Sequence, residues 1–195
     1  FQKDKINEIR YDKNLLTGCV NFFDTNFKNI ILKSSDMICE DSINIKNSSG
    51  IINKIQIDNS YFDALDLDFS KIKINDLKVN NAKNDCIDFS FGEYEIINAN
   101  LKNCGDKGLS VGERSKLNMH NGVIINSNIG IASKDDAITN VKNVAMNNMN
   151  ICLAAYNKKK EFKGSKLNIK SLNCNQYNTL KQLDRLSEIN ILKQN

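Results

Sequence analysis

Three aspartates are spaced so that their carboxylates could act together. Asp66 and Asp68 alternate with apolar residues, as in a strand with one buried face, and Asp88 follows Asp66 by 22 residues. If the chain coils with this period, adjacent coils lie about 4.8 Å apart and same-face neighbours on a strand about 6.6 Å apart, so the three carboxylates cluster. Such a cluster could bind Ca²⁺, supply an acid/base pair for glycosidic chemistry, or form a solvated acidic surface.

A basic and aromatic group follows on the same face. It contains Arg114, Lys134, Tyr156 and Lys158. Cations there could neutralise the carboxylate of an acidic sugar, and Lys, Arg or Tyr could accept its C5 proton; glycan binding without chemistry needs the same residues. We predict one exposed glycan-binding face formed by Asp66, Asp68, Asp88, Ser90, Arg114, Lys134, Asp136, Tyr156 and Lys158. A calcium site at Asp66, Asp68 and Asp88 is one hypothesis for its acidic end, and no other cofactor is expected.

The other reactive side chains favour structural roles. His120, the sole histidine, is predicted to be a solvated side chain on a different strand, and no Ser-His-Asp arrangement or phosphate-binding loop can be assembled. None of the six cysteines lies in a C-x-x-C pair. Stacked core thiols are the expectation, with disulfides as the alternative and zinc less favoured.

The elements that position these residues follow from an internal repeat of 22 residues. Six rows align without a gap from Ile43 to Cys174. The first column of the rows is aliphatic and reads Ile43, Leu65, Ile87, Leu109, Ile131 and Leu153. The fifteenth column is also aliphatic and reads Ile57, Val79, Leu101, Val123, Ala145 and Leu167. Apolar residues at a fixed phase indicate that successive rows stack these side chains on one another, so each row is one coil of short parallel strands.

Two further columns are typical of tight corners. The last column contains only small residues, namely Ala64, Cys86, Gly108, Gly130, Cys152 and Cys174. Another column contains Asn59, Asn81, Asn103 and Asn147, interrupted by Ile125. Asn tolerates left-handed backbone conformations, and stacked amides can hydrogen-bond along the stack. The sequence therefore predicts an all-β, right-handed parallel β-helix (solenoid) of about 7–8 coils with 22 residues per coil.

The whole chain, 1–195, is predicted to be one domain. Residues 1–19 are expected to be an N-terminal cap or a leading coil, residues 20–174 the coils, and residues 175–195 the last coil or a C-terminal cap, in which 180–186 could form a short helix. The chain starts at Phe1 without a signal-like segment, which suggests that the numbering begins inside a processed protein.

The rows resemble the right-handed parallel β-helix superfamily of pectate-lyase-like proteins, and in particular uncharacterised bacterial β-helix regions of exported or surface proteins. The segments that carry this likeness are DALDLDFS at 63–70, NDCIDFSFGEY at 84–94, NCGDKGLSVGERS at 103–115, GIASKD at 130–135 and AYNKKKEF at 155–162. The superfamily includes polysaccharide lyases, hydrolases, C5-epimerases, tailspikes and adhesins, so the fold alone does not determine the activity. No catalytic signature of its pectate lyases, polygalacturonases or mannuronan epimerases is matched.

Composition and charge narrow the function classes. The 27 basic and 23 acidic residues are interspersed, which predicts no nucleic-acid partner, and no apolar run is long enough to span a membrane. We expect a noncatalytic β-helix module of a secreted or cell-surface, bacterial-type protein that presents a polar face to a polysaccharide or a surface protein. The alternative is a lyase or C5-epimerase acting on a uronate polysaccharide. The gapless rows favour the first hypothesis, because they leave no room for loops that would wall a groove; homo-oligomers are also compatible with this fold.

Overall fold

A computed structural model describes residues 16–194 as twelve β-strands and no α-helix. The strands are β1 (Gly18–Phe23), β2 (Asn26–Met37), β3 (Asp41–Lys46), β4 (Ser49–Ser60), β5 (Asp63–Asp68), β6 (Lys71–Ala82), β7 (Ile87–Ser90), β8 (Glu93–Val111), β9 (Lys116–Lys134), β10 (Ile138–Tyr156), β11 (Lys166–Leu183) and β12 (Glu188–Gln194). No helix in this part of the chain could therefore cross a membrane.

All strand pairs are parallel, and the strands stack into a β-solenoid of about eight turns. One stack, the first sheet, contains β1, β3, β5, β7 and the C-terminal parts of β8 to β11. The other stack, the second sheet, contains β2, β4, β6, the N-terminal parts of β8 to β11, and β12. The parallel solenoid with a period near 22 residues, predicted from the repeat, is confirmed.

The core lies between the two sheets and is built from the predicted inward columns. Ile43 pairs with Leu65, and Leu65 pairs with Ile87, each 22 residues further along, and all three side chains are buried. Alternation along a strand directs these side chains inward and their neighbours outward. The first column of the repeat is therefore correct over the whole stack as far as Leu153.

The prediction that the rows are gapless was wrong at two corners. One extra residue between Val111 and Lys116 shifts the pairing of β8 with β9, so that Leu101 faces Ile124. Ile124 is buried whereas Val123, the residue expected in the fifteenth column, is 40% exposed. Six extra residues separate β10 from the second-sheet part of β11, since Ile138 pairs with Lys166. These residues form a loop at 157–165.

The expected core thiols are in fact three disulfides, Cys19–Cys39, Cys86–Cys104 and Cys152–Cys174. Each joins residues 18 to 22 positions apart, and therefore closes part of a single coil. Within the described residues no free cysteine remains. The spacing along the chain did not reveal the pairing, because the bonded residues lie in neighbouring coils at one corner, with Cys104 beside Ala82 and Cys86 beside Lys107.

A row of stacked amides, here called the corner ladder, follows one corner of the second sheet. It contains Asn59, Asn81, Asn103, Asn126 and Asn148, and begins on Asp36. Each Nδ2 donates to the Oδ1 of the coil before it at 2.7–2.9 Å, and every member has a φ of 57–63°. The predicted asparagine column is confirmed as far as Asn103; beyond it, the one-residue shift places Asn126 and Asn148 in the ladder instead of Ile125 and Asn147.

The predictions for the two ends of the chain, a cap or leading coil at 1–19 and a last coil or cap at 175–195, have different outcomes. Strand β1 begins at Gly18, so most of the cap or leading coil expected at 1–19 lies outside the described residues. The short helix expected at 180–186 was wrong, because β11 continues to Leu183 and a turn leads into β12. Residues 175–194 thus continue the coils.

Candidate functional site

The candidate site is the outward side of the first sheet, here called the polar face. Since Leu65, Leu67, Ile87 and Phe89 fill the core, strand alternation turns the intervening residues away from it. The polar face contains Asn44, Lys46, Asp66, Asp68, Asp88, Ser90, Ser110, Lys134 and Tyr156. One further row of this face, here called the edge row, lies where the chain enters the first sheet. It contains Asp41, Asp63, Asp85 and Lys107. The structure therefore brings together the predicted residues of the acidic cluster.

The prediction that this face is fully exposed was wrong. Lys134 is buried, as are Asn44 and Ser110, while Asp66, Asp68, Asp88, Ser90 and Tyr156 are half-buried. Arg114 and Lys158 are exposed, and Asp136 is half-buried. These last three lie at the corner after the sheet rather than on it, because Arg114 and Asp136 have positive φ and Lys158 belongs to the 157–165 loop.

Part of this shielding comes from long side chains that lie flat on the sheet. The Nζ of Lys134 lies 3.7 Å from Asp88 Oδ1, two coils away. Gly112 separates them, and a Cβ on this glycine would contact Lys134 Cε at 3.4 Å. Because Gly112 has no side chain, the side chain of Lys134 can lie across this position and reach Asp88.

The acidic end of the face is formed by Asp41, Asp63, Asp66 and Asp68. Asn44 Nδ2 donates to Asp66 Oδ2 at 3.0 Å and to Asp68 Oδ2 at 3.5 Å. The Oδ1 atom of Asn44 is buried and has no hydrogen-bond partner in the described part of the chain. The buried acceptor and the adjacent carboxylates make this end attractive to hydrogen-bond donors.

Burial is the main reason why the carboxyl pKa values at this end are raised. It raises the pKa of Asp41 to about 8 and that of Asp63 to about 7, and the neighbouring carboxylates Asp63 and Asp85, respectively, add to the effect. Burial, followed by repulsion from Asp41 and Asp68, also raises the pKa of Asp66 well above its usual range. Protons or external donors are therefore favoured at the acidic end.

The lysine end of the face has a different charge arrangement. Lys107 Nζ lies 3.3 Å from Asp85 Oδ1 and also contacts Asp106. Burial disfavours the charged lysine, but these two carboxylates outweigh it and raise the pKa of Lys107. Although burial opposes the shift, the hydrogen bonds from Lys107 and Asn128 lower the pKa of Asp106. Charge is thus compensated inside the protein at this end.

Sequence reasoning missed the 157–165 loop, which lies at the corner beside the polar face. Asp135 Oδ1 accepts hydrogen bonds from the backbone N–H groups of Lys158 and Lys159 at 2.6 and 2.9 Å. Lys159 Nζ reaches Glu113 Oε1 at 2.5 Å, and the ring of Phe162 lies 6.0 Å from that of Phe91. The loop therefore folds back along the stack beside the polar face, where gapless rows were expected to leave no room for a loop.

An aromatic pair at the same corner was also missed. The rings of Phe69 and Phe91 are 4.8 Å apart and nearly parallel, at 3°. Both residues follow first-sheet strands directly, after Asp68 and Ser90, and both have a positive φ, of 48° and 47°. The signal that could have found them is a phenylalanine at the same position of two successive rows.

The remaining site predictions concern metal and histidine. Within residues 16–194, no group of three or more His, Cys, Asp or Glu side chains has an arrangement that could hold a metal ion. Calcium at Asp66, Asp68 and Asp88 stays a prediction. His120 lies on the second sheet, half-buried, with Nε2 3.2 Å from Glu95 Oε1, and so belongs to a different surface.

Comparison with known proteins identifies no relative. No family model matches the chain, and neither a curated protein nor a solved structure is significantly similar to it.

Proposed function

We propose that this chain is a noncatalytic β-solenoid module of an exported or cell-surface protein, and that its polar face binds a glycan. The observation that carries the proposal is the row of outward carboxylates, hydroxyls and lysines on stacked strands, bordered by the 157–165 loop. Strands held in register by their neighbours present such groups at a regular spacing of about 4.8 Å. A rigid surface with polar groups at this spacing suits an extended polymer.

The chemistry of the face suits sugar hydroxyls. Carboxylates such as Asp68 and Asp88 accept hydrogen bonds, while Ser90 and Tyr156 can both donate and accept. These side chains are half-buried, so their positions are restricted but a ligand can still reach them. Groups ordered before binding lose little conformational entropy when the ligand arrives.

The three disulfides support the exported location. Disulfides form and persist in oxidising compartments such as the cell exterior and the bacterial periplasm. The resemblance of the rows to exported β-helix regions points the same way.

A glycan array with the intact chain tests the proposal. We expect binding that the double variant Asp66→Asn/Asp88→Asn weakens about tenfold or more, which corresponds to about 1.4 kcal/mol. Asp76→Asn on the second sheet is the matched control and should bind as the unsubstituted chain does, because Asp76 lies outside the polar face. Equal binding by both variants would contradict the placement of the site.

A lyase or C5-epimerase is the second candidate, and the edge row favours it. Burial raises the pKa of Asp85 to about 6 and that of Asp63 to about 7, a range in which a carboxyl group can exchange protons near neutral pH. Incubation with uronate polymers should then produce the ultraviolet absorbance of an unsaturated product if the chain is a lyase, and Asp85→Asn should abolish it. An epimerase would instead exchange the C5 proton with solvent deuterium.

A further inference from the structure

The backbone at Phe69 and Phe91 is the most unusual feature near the polar face. A positive φ is uncommon for any residue with a side chain and is a genuine outlier for a bulky one. The same corner in the two preceding coils holds Asp24 and Asn47, with φ of 52° and 50°. Asp and Asn tolerate this conformation far better than Phe, so the fold does not require an aromatic residue here. Strain of this kind is characteristic of functional positions.

The geometry of the pair leaves one aromatic surface available. Phe91 is half-buried between Phe69, at 4.8 Å, and Phe162, at 6.0 Å, and Arg114 Cζ lies 5.4 Å from the Phe162 ring. Phe69 is the first ring in this aromatic stack, and its side chain is 52% exposed. On its other side the chain places Asn47, which is itself exposed and donates to Asp24. The half-exposed ring of Phe69 is thus accessible to a ligand.

We propose that Phe69 is a stacking platform for a pyranose ring that carries no carboxylate, such as a neutral hexose or an amino sugar. The inference rests on the proposed glycan-binding function and specifies its ligand. The face of an aromatic ring carries negative charge density, which attracts the C–H groups on the apolar face of a sugar. Asp68, next to Phe69 in the chain, can accept hydrogen bonds from the hydroxyls or the ammonium group at the rim of the sugar.

The carboxyl groups next to the platform disfavour an acidic sugar at this position. Asp68 directly precedes Phe69, and Asp66 lies on the same strand, β5, whereas the edge row lies at the opposite end of that strand. A uronate carboxylate beside Asp68 would either repel its ionised form or drive its protonation, and both cost binding free energy, whereas a neutral or basic sugar would do neither. The preference is therefore the opposite of that expected for a uronate-processing β-helix.

The decisive variant is Phe69→Asn, which restores the type of residue that the preceding coil has at this corner. Because Asn tolerates a positive φ, the variant should fold and its Tm should be equal or higher. Phe62→Asn is the matched control, since Phe62 is also exposed, at 41%, but lies at another corner against Tyr61. Phe69→Trp keeps a stacking surface and serves as the rescue variant.

Calorimetric titration with cellohexaose, a chitosan hexamer and hexagalacturonate provides the readout. We expect the unsubstituted chain to bind cellohexaose or the chitosan hexamer more tightly than hexagalacturonate. Phe69→Asn should weaken that binding about tenfold, whereas Phe62→Asn and Phe69→Trp should change it less than about threefold.

The possible failures are distinguishable. Binding that Asp66→Asn/Asp88→Asn weakens but Phe69→Asn leaves unchanged would overturn the platform and retain the proposed function. Tightest binding to hexagalacturonate would overturn the charge argument. Self-association of the chain that Phe69→Asn abolishes, without sugar binding, would show that the ring contacts a second copy instead. A complete absence of binding to the three sugars and to the array would overturn both proposals.

Discussion

The corner ladder and the polar face are both rows of polar side chains on the same solenoid, yet they are built differently. In the ladder, one residue type repeats in five coils, and every Nδ2 finds an Oδ1 at 2.7–2.9 Å. On the polar face the residue type changes from coil to coil, buried acceptors such as Asn44 Oδ1 lack partners among residues 16–194, and several carboxyl pKa values are raised.

The two rows therefore have different roles in the molecule. A repeated, fully paired row stabilises the coil stack and requires nothing from outside. A row that breaks the repeat and leaves polar groups unpaired is costly, and natural proteins keep such costs mainly at functional sites. Substitutions in the two rows, and the pH dependence of stability, should show this contrast as different losses of unfolding free energy.

The largest effect is expected where the polar face is internally paired. Lys107→Met removes the cation between Asp85 and Asp106, and loss of one partner of a buried ion pair costs about 3–5 kcal/mol. Urea denaturation measures the change, with Lys78→Met, exposed on the second sheet, as a control expected to stay within about 0.5 kcal/mol. The double variant Lys107→Met/Asp85→Asn should recover part of the loss. A loss below about 1 kcal/mol in the single variant would mean that the lysine end is not a structural network.

The second prediction concerns pH and the acidic end. Burial raises the pKa of Asp41, Asp63 and Asp85 from the ordinary 3.8 to about 8, 7 and 6, so the folded chain holds these protons more tightly than the unfolded chain. Their stabilising contribution is complete below pH 3.8 and is lost as the pH rises through these folded-state values. The free energy of unfolding should therefore fall as the pH rises from 5 to 8.

Scanning calorimetry across this pH range measures the slope. Asp63→Asn should flatten it, because the amide does not titrate. Asp106→Asn is the control, since the pKa of Asp106 is lowered rather than raised and its titration lies below this window. A Tm that rises from pH 5 to pH 8 would contradict the description of the acidic end.

The smallest effect is expected in the corner ladder. Asn103→Ala removes both ladder hydrogen bonds of this amide and puts a residue that tolerates the left-handed conformation less well than Asn at a φ of 57°, so a loss of about 1–2 kcal/mol is expected. Asn103→Gly keeps the backbone conformation accessible and should lose less. Both variants should bind sugar as the unsubstituted chain does. Weakened sugar binding at unchanged stability would remove the distinction between ladder and face.

The repeat made the coil path and the acidic cluster predictable. Leu65, Ile87 and Leu109 recur at a constant spacing, and this phase alone directs Asp66 and Asp88 to the opposite side of the strand. The same logic failed where a residue was inserted between two rows of similar composition. Val123 and Ile124 are both aliphatic, so a shift of one position left no visible trace in the sequence.

The loop and the disulfides could not be predicted, for related reasons. Reading the chain in rows of 22 assigned 157–165 to strands, and Leu167 took a place in the fifteenth column by coincidence; in the structure it pairs with Thr139. The cysteine pairs depend on which residues of neighbouring coils meet at a corner, and the hydrophobic period carries no information about that distance. Phe69 and Phe91 were visible as a repeat, but their backbone conformation was not.

The placement of the disulfides has a mechanical consequence. Each of the three disulfides closes a loop within one coil. They lie at the beginning, the middle and the end of the stack, at Cys19–Cys39, Cys86–Cys104 and Cys152–Cys174. A pulling force on the chain ends would peel the coils away but could not extend the residues enclosed by a disulfide. Each bond therefore withholds on the order of 60–80 Å of extended chain. The oxidised chain would therefore stop lengthening under load well before the reduced one.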